Sequence, residues 1–412
     1  MKKIALISLM ASSILLAGGY KVPESSLNGV ALSAANVAHN KSADAAYYNP
    51  ANMVFMKHDG IMEVDMMYIG LSEIDYKGNY TSSSGTTGPY NIHSKSENFL
   101  IPSFHYVSPE VDGARYGFSM VVPAGLSKRW DDAPAVYSAE EFTLETIELN
   151  PTIALPIGAK VGIAIGIRAI YSKGIVKSTS PIASRDMDGD SVDFGYNLAL
   201  AYHPTKELEL AITYRSKVDL TVDGDADLSY TGTLGGAVPL NTYKSSSSAT
   251  LDVPVPALFN AAIAYTFPTD TTIEFVYERN YWHTYNELDF NYGSGVDPVT
   301  NIVFGTPIVK NWKDTNTFRF GITQELDDLT LMSGLVIDES PIPESTLGYE
   351  LPDSDSVSVS LGARYQFTEK INAGIAALYS MRDDRTVHND SLDGEFTNAT
   401  ALLISLGLEY KF

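Results

Sequence analysis

Val161-Gly162-Ile163-Ala164-Ile165-Gly166-Ile167-Arg168-Ala169-Ile170-Tyr171 alternates strictly in character. In a strand, successive side chains point to opposite sides, so Val161, Ile163, Ile165, Ile167, Ala169 and Tyr171 share one face. Gly162, Ala164, Gly166, Arg168 and Ile170 share the other. Three more stretches repeat the pattern. Val357, Val359, Leu361, Ala363, Tyr365 and Phe367 oppose Ser358, Ser360, Gly362, Arg364 and Gln366. Ile371, Ala373, Ile375, Ala377 and Tyr379 oppose Asn372, Gly374, Ala376, Leu378 and Ser380. Leu402, Ile404, Leu406, Leu408, Tyr410 and Phe412 oppose Leu403, Ser405, Gly407, Glu409 and Lys411.

From about residue 61 onward, segments of roughly 10 residues carry this period, the repeated signature of a transmembrane β-barrel. A soluble sandwich also alternates, with its apolar face turned to a core. Two features favour the membrane. Phe412 and Tyr410 continue the apolar face of the last strand, as expected of a strand handed to an outer-membrane assembly machinery. Tyr171, Tyr214, Tyr265, Tyr365 and Phe367 lie at strand ends, where interfacial girdles belong.

Connection lengths set the orientation. Short links run Ser108 to Ala114, Pro156 to Lys160, His203 to Glu207, Phe267 to Asp270, Glu325 to Asp328 and Phe367 to Lys370. Between them fall long Gly/Ser/Thr/Asp-rich connections at about 75–95, 128–141, 174–191, 222–249, 286–313, 339–355 and 384–397. Bacterial barrels pair short periplasmic turns with longer external loops, and the strands between these links number about 14. Residues 59–412 are therefore expected to form an all-β, 14-stranded antiparallel transmembrane β-barrel.

The N-terminal part reads differently. Met1-Lys2-Lys3, an apolar run from Ile4 to Leu16 and Ala17-Gly18-Gly19 predict a signal peptide over residues 1–17, cleaved near Ala17. Residues 18–58 lack strong alternation. Within them, Ser42 to Met53 crowd small, polar and helix-breaking residues around Asn49-Pro50-Ala51, where proline fixes φ and restricts its predecessor. With both barrel ends on the periplasmic side, this unit is expected to fold back into the lumen as a plug, or hatch.

Composition narrows the function. The 412 residues include no Cys, so neither disulfides nor thiolate metal ligands hold the fold. Fifty Asp and Glu against 28 Lys and Arg give a net charge of −22, which argues against a nucleic-acid partner. Neither a Gly-x-Ser-x-Gly elbow nor a phosphate-cradling loop is present, and an enzyme is not expected. No cofactor or metal is expected either. Asp186-Met187-Asp188-Gly189-Asp190 is similar to a calcium loop, yet Asn197 stands where the twelfth-position Glu belongs, so it reads as a solvated acidic external loop.

An ordered set of motifs resembles the FadL family of outer-membrane transporters for long-chain fatty acids and other hydrophobic compounds. It comprises Gly19 to Glu24, Asp44 to Ala51 ending in Asn-Pro-Ala, Tyr214-Arg215-Ser216-Lys217-Val218, Ser340-Pro341-Ile342-Pro343 and Leu351 to Asp355. The resemblance implies a plugged 14-stranded barrel whose third strand is kinked to open a lateral portal. Here that strand contains Pro123-Ala124-Gly125: proline removes a ladder donor and glycine tolerates distortion. The family also implies basic groups for a ligand carboxylate, matched by Lys173 and Lys313, although alternation sets Lys173 on the lipid face with Tyr171 unless Gly174 ends the strand. Alternation places Arg168, Arg215, Arg319 and Arg364 in the lumen, as an ion network that lines a polar interior and anchors the plug.

The expected function is passive uptake of hydrophobic molecules across the bacterial outer membrane, long-chain fatty acids first. Monoaromatic hydrocarbon uptake is one alternative, and a porin or adhesin acting through its external loops is another. The expected surroundings are outer-membrane lipid, lipopolysaccharide and the barrel assembly machinery, with the chain acting as a monomer.

Overall fold

The sheet closes because its first strand has two partners. Ile61 to Leu71 pair antiparallel with Val107 to Glu97 on one side and with Lys411 to Ala401 on the other. The computed structural model describes residues 18–57, 60–81, 87–233 and 240–412; the expected signal peptide lies outside them. Among the described residues fourteen strands form the barrel, in order Ile61–Leu71, Glu97–Val107, Arg115–Val121 with Leu126–Arg129, Glu141–Ile157, Val161–Thr179, Ala183–Tyr202, Leu208–Arg215 with Val218–Gly232, Asn241–Val255 with Ala257–Thr266, Thr271–Tyr281, Thr315–Leu326, Leu329–Asp338, Ser356–Gln366, Ile371–Arg382 and Thr400–Lys411.

The two faces separate as the alternation requires. On the fifth strand Ile165 and Ile167 point out to lipid, 52% and 59% exposed, while Arg168 and Ile170 are buried toward the lumen. On the fourteenth, Leu406 and Leu408 point out while Ser405 and Glu409 are buried. Rings gather at the periplasmic rim: Tyr106 stacks with Phe412 at 6.0 Å, and Tyr365 meets Phe367 edge-on at 5.0 Å. Such amphipathic rings suit the headgroup level.

Two of the expected long loops, 174–191 and 222–249, are instead largely continuations of the barrel strands. The fifth and sixth strands run on to Thr179 and from Ala183, and the seventh and eighth to Gly232 and from Asn241. Side-chain alternation with hydrogen-bonded neighbours holds these Ser-, Thr- and Asp-rich segments extended although their composition reads as loop. The acidic run 186–190 is part of the sixth strand, with Asp186, Asp188 and Asp190 directly opposite Asp227, Asp225 and Asp223. Above the barrel, Asp75–Thr81, Thr87–His93, Arg385–His388 and Asp393–Thr397 form a separate four-stranded sheet. Its own Tyr76 and Phe396 cluster with the buried rings of Tyr349 and Trp130.

The N-terminal unit fills the lumen. Its helix Leu27–Ala31 is capped by Ser26, whose hydroxyl accepts from the Gly29 amide. A second helix, Ala45–Tyr48, leads through Asn49 into the 3-10 turn Pro50–Phe55, started by proline at its first turn. Small luminal residues let this unit approach the wall. A Cβ on Gly162 would lie 2.3 Å from the Ala51 carbonyl oxygen, so only glycine fits there.

Candidate ligand cavity and the break in strand three

The third strand stops at Val121 and resumes at Leu126. Val121 still faces Glu148 and Leu126 faces Leu144, so the four residues between lose their ladder partners across a one-residue bulge. Pro123 cannot donate, and Ala124 bonds instead to the Thr146 hydroxyl. Three N-terminal residues fill the gap. Val22 N–H donates to Pro123 O at 3.0 Å, Gly125 N–H donates to Tyr20 O at 2.8 Å, and Lys21 bridges Ala124. The third strand is thus interrupted between Val121 and Leu126, and residues 20–22 bond across the gap.

Tyr20 stands at the centre of what lies behind. Its ring meets Trp282 at 4.9 Å and Trp312 at 5.6 Å, and its hydroxyl donates to Pro254 O at 2.5 Å. Around it Leu126, Leu144, Val176, Val222, Leu251 and Val253 line an apolar cavity. The free space is about 30 Å³, against the roughly 300–1,000 Å³ of sites that hold drug-sized ligands. Tyr20 forms one wall of this nearly filled cavity. Outward lies a groove of about 660 Å³ lined by Tyr137, Phe142, Leu288, Ile308, Leu347 and Tyr349. Phe142, Lys310, Thr346 and Glu350 border both spaces.

The cation at that junction is Lys310. It is 4% exposed, and its Nζ lies 2.5 Å from Glu350 Oε1. Neither lysine expected to meet a carboxylate reaches the cavity. The fifth strand continues past Gly174, so alternation keeps Lys173 on the outer face, where its cross-strand neighbours are Glu145 and Asp190. Lys313 is exposed beside the inward Trp312. The left-handed turn at Asn311, φ +46°, separates it from Lys310. No periodicity marks Lys310, which lies in a long external connection.

The four luminal arginines divide among three ion clusters. Arg168 and Arg215 share Glu148, with Arg168 Nη2 at 2.9 Å, and Arg215 also stacks on Tyr47 of the plug at 4.2 Å. Arg319 donates to Ser33 O at 2.9 Å and lies 3.5 Å from both Glu24 and Glu278. Arg364 bonds Glu63 and donates to Asn28 Oδ1 at 2.6 Å. Glu274, which alternation also sets on the luminal face, accepts the amides of Val37, Ala38 and His39 at 2.7, 2.7 and 3.0 Å. Asn49 holds the plug's own turn, donating to Val37 O at 2.8 Å and accepting from Ala51 N–H at 3.1 Å.

Two plug carboxyls lie among these anchors. Burial pushes Glu24 up to about 7 against the opposing pull of Arg319. Burial, and then repulsion from Glu63, pushes Asp44 up to about 7 although Ser26 donates to it at 2.6 Å.

Comparison with known proteins agrees with this geometry. The family described as "Outer membrane protein transport protein (OMPP1/FadL/TodX)" matches residues 8–412. A "Long-chain fatty acid transport protein" of Escherichia coli O6:H1 is 24% identical, over 91% of this chain and 89% of that one. "Outer membrane protein P1" of Haemophilus influenzae is 22% identical over 98% and 99%. Among solved structures, a Pseudomonas aeruginosa FadL homologue superposes with a TM-score of 0.84 at 19% identity, covering 96% of this chain and all, 100%, of that one. The Pseudomonas putida toluene transporter TodX superposes with 0.72 at 14% identity, covering 96% and 100%. A 14-stranded barrel with a filled lumen and a family match over nearly its whole length place this chain in the outer membrane, as a member of the OMPP1/FadL/TodX family of transport proteins.

Proposed function

We propose that the chain carries hydrophobic molecules, long-chain fatty acids first, from the external groove into the Tyr20 cavity and out through the wall at residues 122–125. One observation carries this reading: Tyr20 lines the apolar cavity with its ring and bonds across the strand break with its carbonyl oxygen. A ligand that displaces the ring withdraws that carbonyl, so occupying the cavity and unsealing the wall are one event. The exit lies beside lipid, where an apolar ligand crosses no water-filled pore. Lys310 supplies the cation for a fatty-acid carboxylate, which replaces Glu350 as its partner. The plug around Asn49-Pro50-Ala51 yields as residues 20–22 move.

The apolar lining favours a second reading, a neutral monoaromatic ligand that uses the cavity and ignores Lys310. Uptake of radiolabelled long-chain fatty acid and of toluene, in an outer-membrane host lacking its own transporter, separates the two. Saturable fatty-acid uptake lost on closing the strand with Pro123→Val and Gly125→Val supports the first. Uptake of toluene alone selects the second, and unchanged uptake in a correctly inserted closed-strand variant overturns the lateral route.

A further inference from the structure

Arg185 belongs to two external spaces at once. It lines the groove of about 660 Å³ and also a second pocket of about 520 Å³ at the tips of the external hairpins. Phe142, Leu288, Ile308 and Leu347 make the groove largely apolar. The second pocket is polar. Thr179, Ser184, Ser229 and Lys244 are cross-strand neighbours in turn, a row of three hydroxyls and an ammonium over four strands, and all four line it. Lys177, which pairs with Asp186 at 3.5 Å, borders it too, as do Glu140 and Asp227. Three cations, Lys177, Arg185 and Lys244, thus stand against three carboxylates, Glu140, Asp186 and Asp227, a balance that suits a zwitterion better than an ion of either sign.

Arg185 lacks an anion. It is 9% exposed, and among the described residues no carboxylate stands within ion-pair distance of it. Its neighbours are neutral: the guanidinium carbon lies 4.0 Å over the Phe290 ring, with the Tyr292 hydroxyl beside it. Its Nε is buried without a hydrogen-bond partner. Asp186, next in sequence, points to the other side of the strand and is taken by Lys177. A buried guanidinium is costly unless an anion accompanies it, and its planar fork matches a phosphate.

We propose that groove and pocket form one site for a zwitterionic phospholipid with a single acyl chain: the chain lies in the groove, the phosphodiester meets Arg185, and the ammonium head lies among the hydroxyls and carboxylates of the outer pocket. A free fatty acid has no head group for that pocket, and its one carboxylate is spent at Lys310. Lipopolysaccharide, with several phosphates and many chains, would bring further negative charge to three carboxylates and more apolar volume than one groove holds. The site goes beyond the transport reading and stands whether or not the wall opens.

The test uses the full chain purified from outer membranes and exchanged into amphipol, so that no detergent competes for the groove. Titration calorimetry compares decanoyl-lysophosphatidylethanolamine with decanoate, which lacks the head, and with glycerophosphoethanolamine, which lacks the tail. The lysolipid is expected to bind about tenfold tighter than either fragment. Arg185→Gln is expected to weaken the lysolipid about tenfold and decanoate less than about twofold, the loss of one charge-assisted phosphate contact, while Arg185→Lys keeps part of the affinity. Glu140→Gln with Asp227→Asn, at the rim, tests the head group where Arg185→Gln fails to fold. That pair is expected to weaken the lysolipid and to leave decanoyl-lysophosphatidic acid, which has no ammonium, unchanged. Closing strand three with Pro123→Val and Gly125→Val is expected to leave all these affinities as they are, which separates this site from the lateral route. Equal affinity for lysolipid and decanoate, equal loss of both on Arg185→Gln, or lysolipid affinity unchanged in every pocket variant would overturn the proposal.

Discussion

Lys310 Nζ lies 2.5 Å from Glu350 Oε1 at the junction between the external groove and the Tyr20 cavity. Lys310 is buried while Glu350 keeps some contact with solvent, so the ammonium depends on Glu350 or on a ligand that replaces it. A hydrogen bond to a charged group contributes roughly 1.5–3 kcal/mol. Lys310→Ala is accordingly expected to weaken fatty-acid binding by about tenfold or more while leaving toluene binding within about twofold. Lys173→Ala and Lys313→Ala, on the outer face and in solvent, are expected to change neither. Titration calorimetry in detergent checks all three.

Tyr20→Ala separates cavity filling from strand sealing. The variant keeps the backbone bond to Gly125 but removes the ring from among Trp282 and Trp312. Large-to-small changes of a buried aromatic cost about 3–5 kcal/mol, so the melting temperature is expected to fall. Ligand affinity is expected to rise, because no ring has to be displaced first. A fall in affinity alongside the fall in melting temperature would make Tyr20 part of the binding surface rather than its occupant.

The plug is expected to loosen in alkali. Glu24 and Asp44 have ordinary values of 4.5 and 3.8, and both rise to about 7 in the docked plug. Each binds its proton more tightly docked than free. Docking is therefore fully favoured below the ordinary values, and that advantage is lost as pH rises through about 7. Hydrogen exchange of the helix Leu27–Ala31 should quicken between pH 6 and 8 beyond the intrinsic base-catalysed increase. Glu24→Gln with Asp44→Asn is expected to flatten that excess; an excess that survives the double substitution would place its origin in other groups.

Gly162→Val probes the plug's seat from the wall. A side chain there collides with the Ala51 carbonyl, whose backbone cannot withdraw without moving the Pro50–Phe55 turn. Overpacking of this kind costs about 1–3 kcal/mol. The barrel should still form, with heat-modifiable mobility on gels unchanged, while exchange at residues 51–55 accelerates and ion conductance rises. Unchanged conductance with accelerated exchange would show that this seat is dispensable for closure.

Much of the architecture was legible because lipid and lumen impose opposite demands on neighbouring side chains, and a strand presents them in turn. Ile165 and Arg168 could be assigned to opposite faces from period alone, and Pro123 to Gly125 marked the break through proline's missing donor. The external hairpins at Thr179 and Gly232 were not legible, since Ser, Thr and Asp read as loop until a paired neighbour holds them extended. Lys173 and Lys313 lie away from the cavity, whereas Lys310 borders it. Lys173 obeys its strand's alternation, and the position of Lys310 follows from a turn at Asn311 that no pattern encodes.

Taken alone, the chain of residues determined a closed, amphipathic barrel with a non-strand N-terminal unit, because those properties depend on local periodicity and on the length of connections. Only the tertiary structure decided that residues 20–22 bond across the break in the third strand and that Tyr20 lines the cavity behind it. These relations join positions more than 100 residues apart through luminal packing. A contact of that kind depends on the shape of the whole enclosure, which no single stretch of sequence carries.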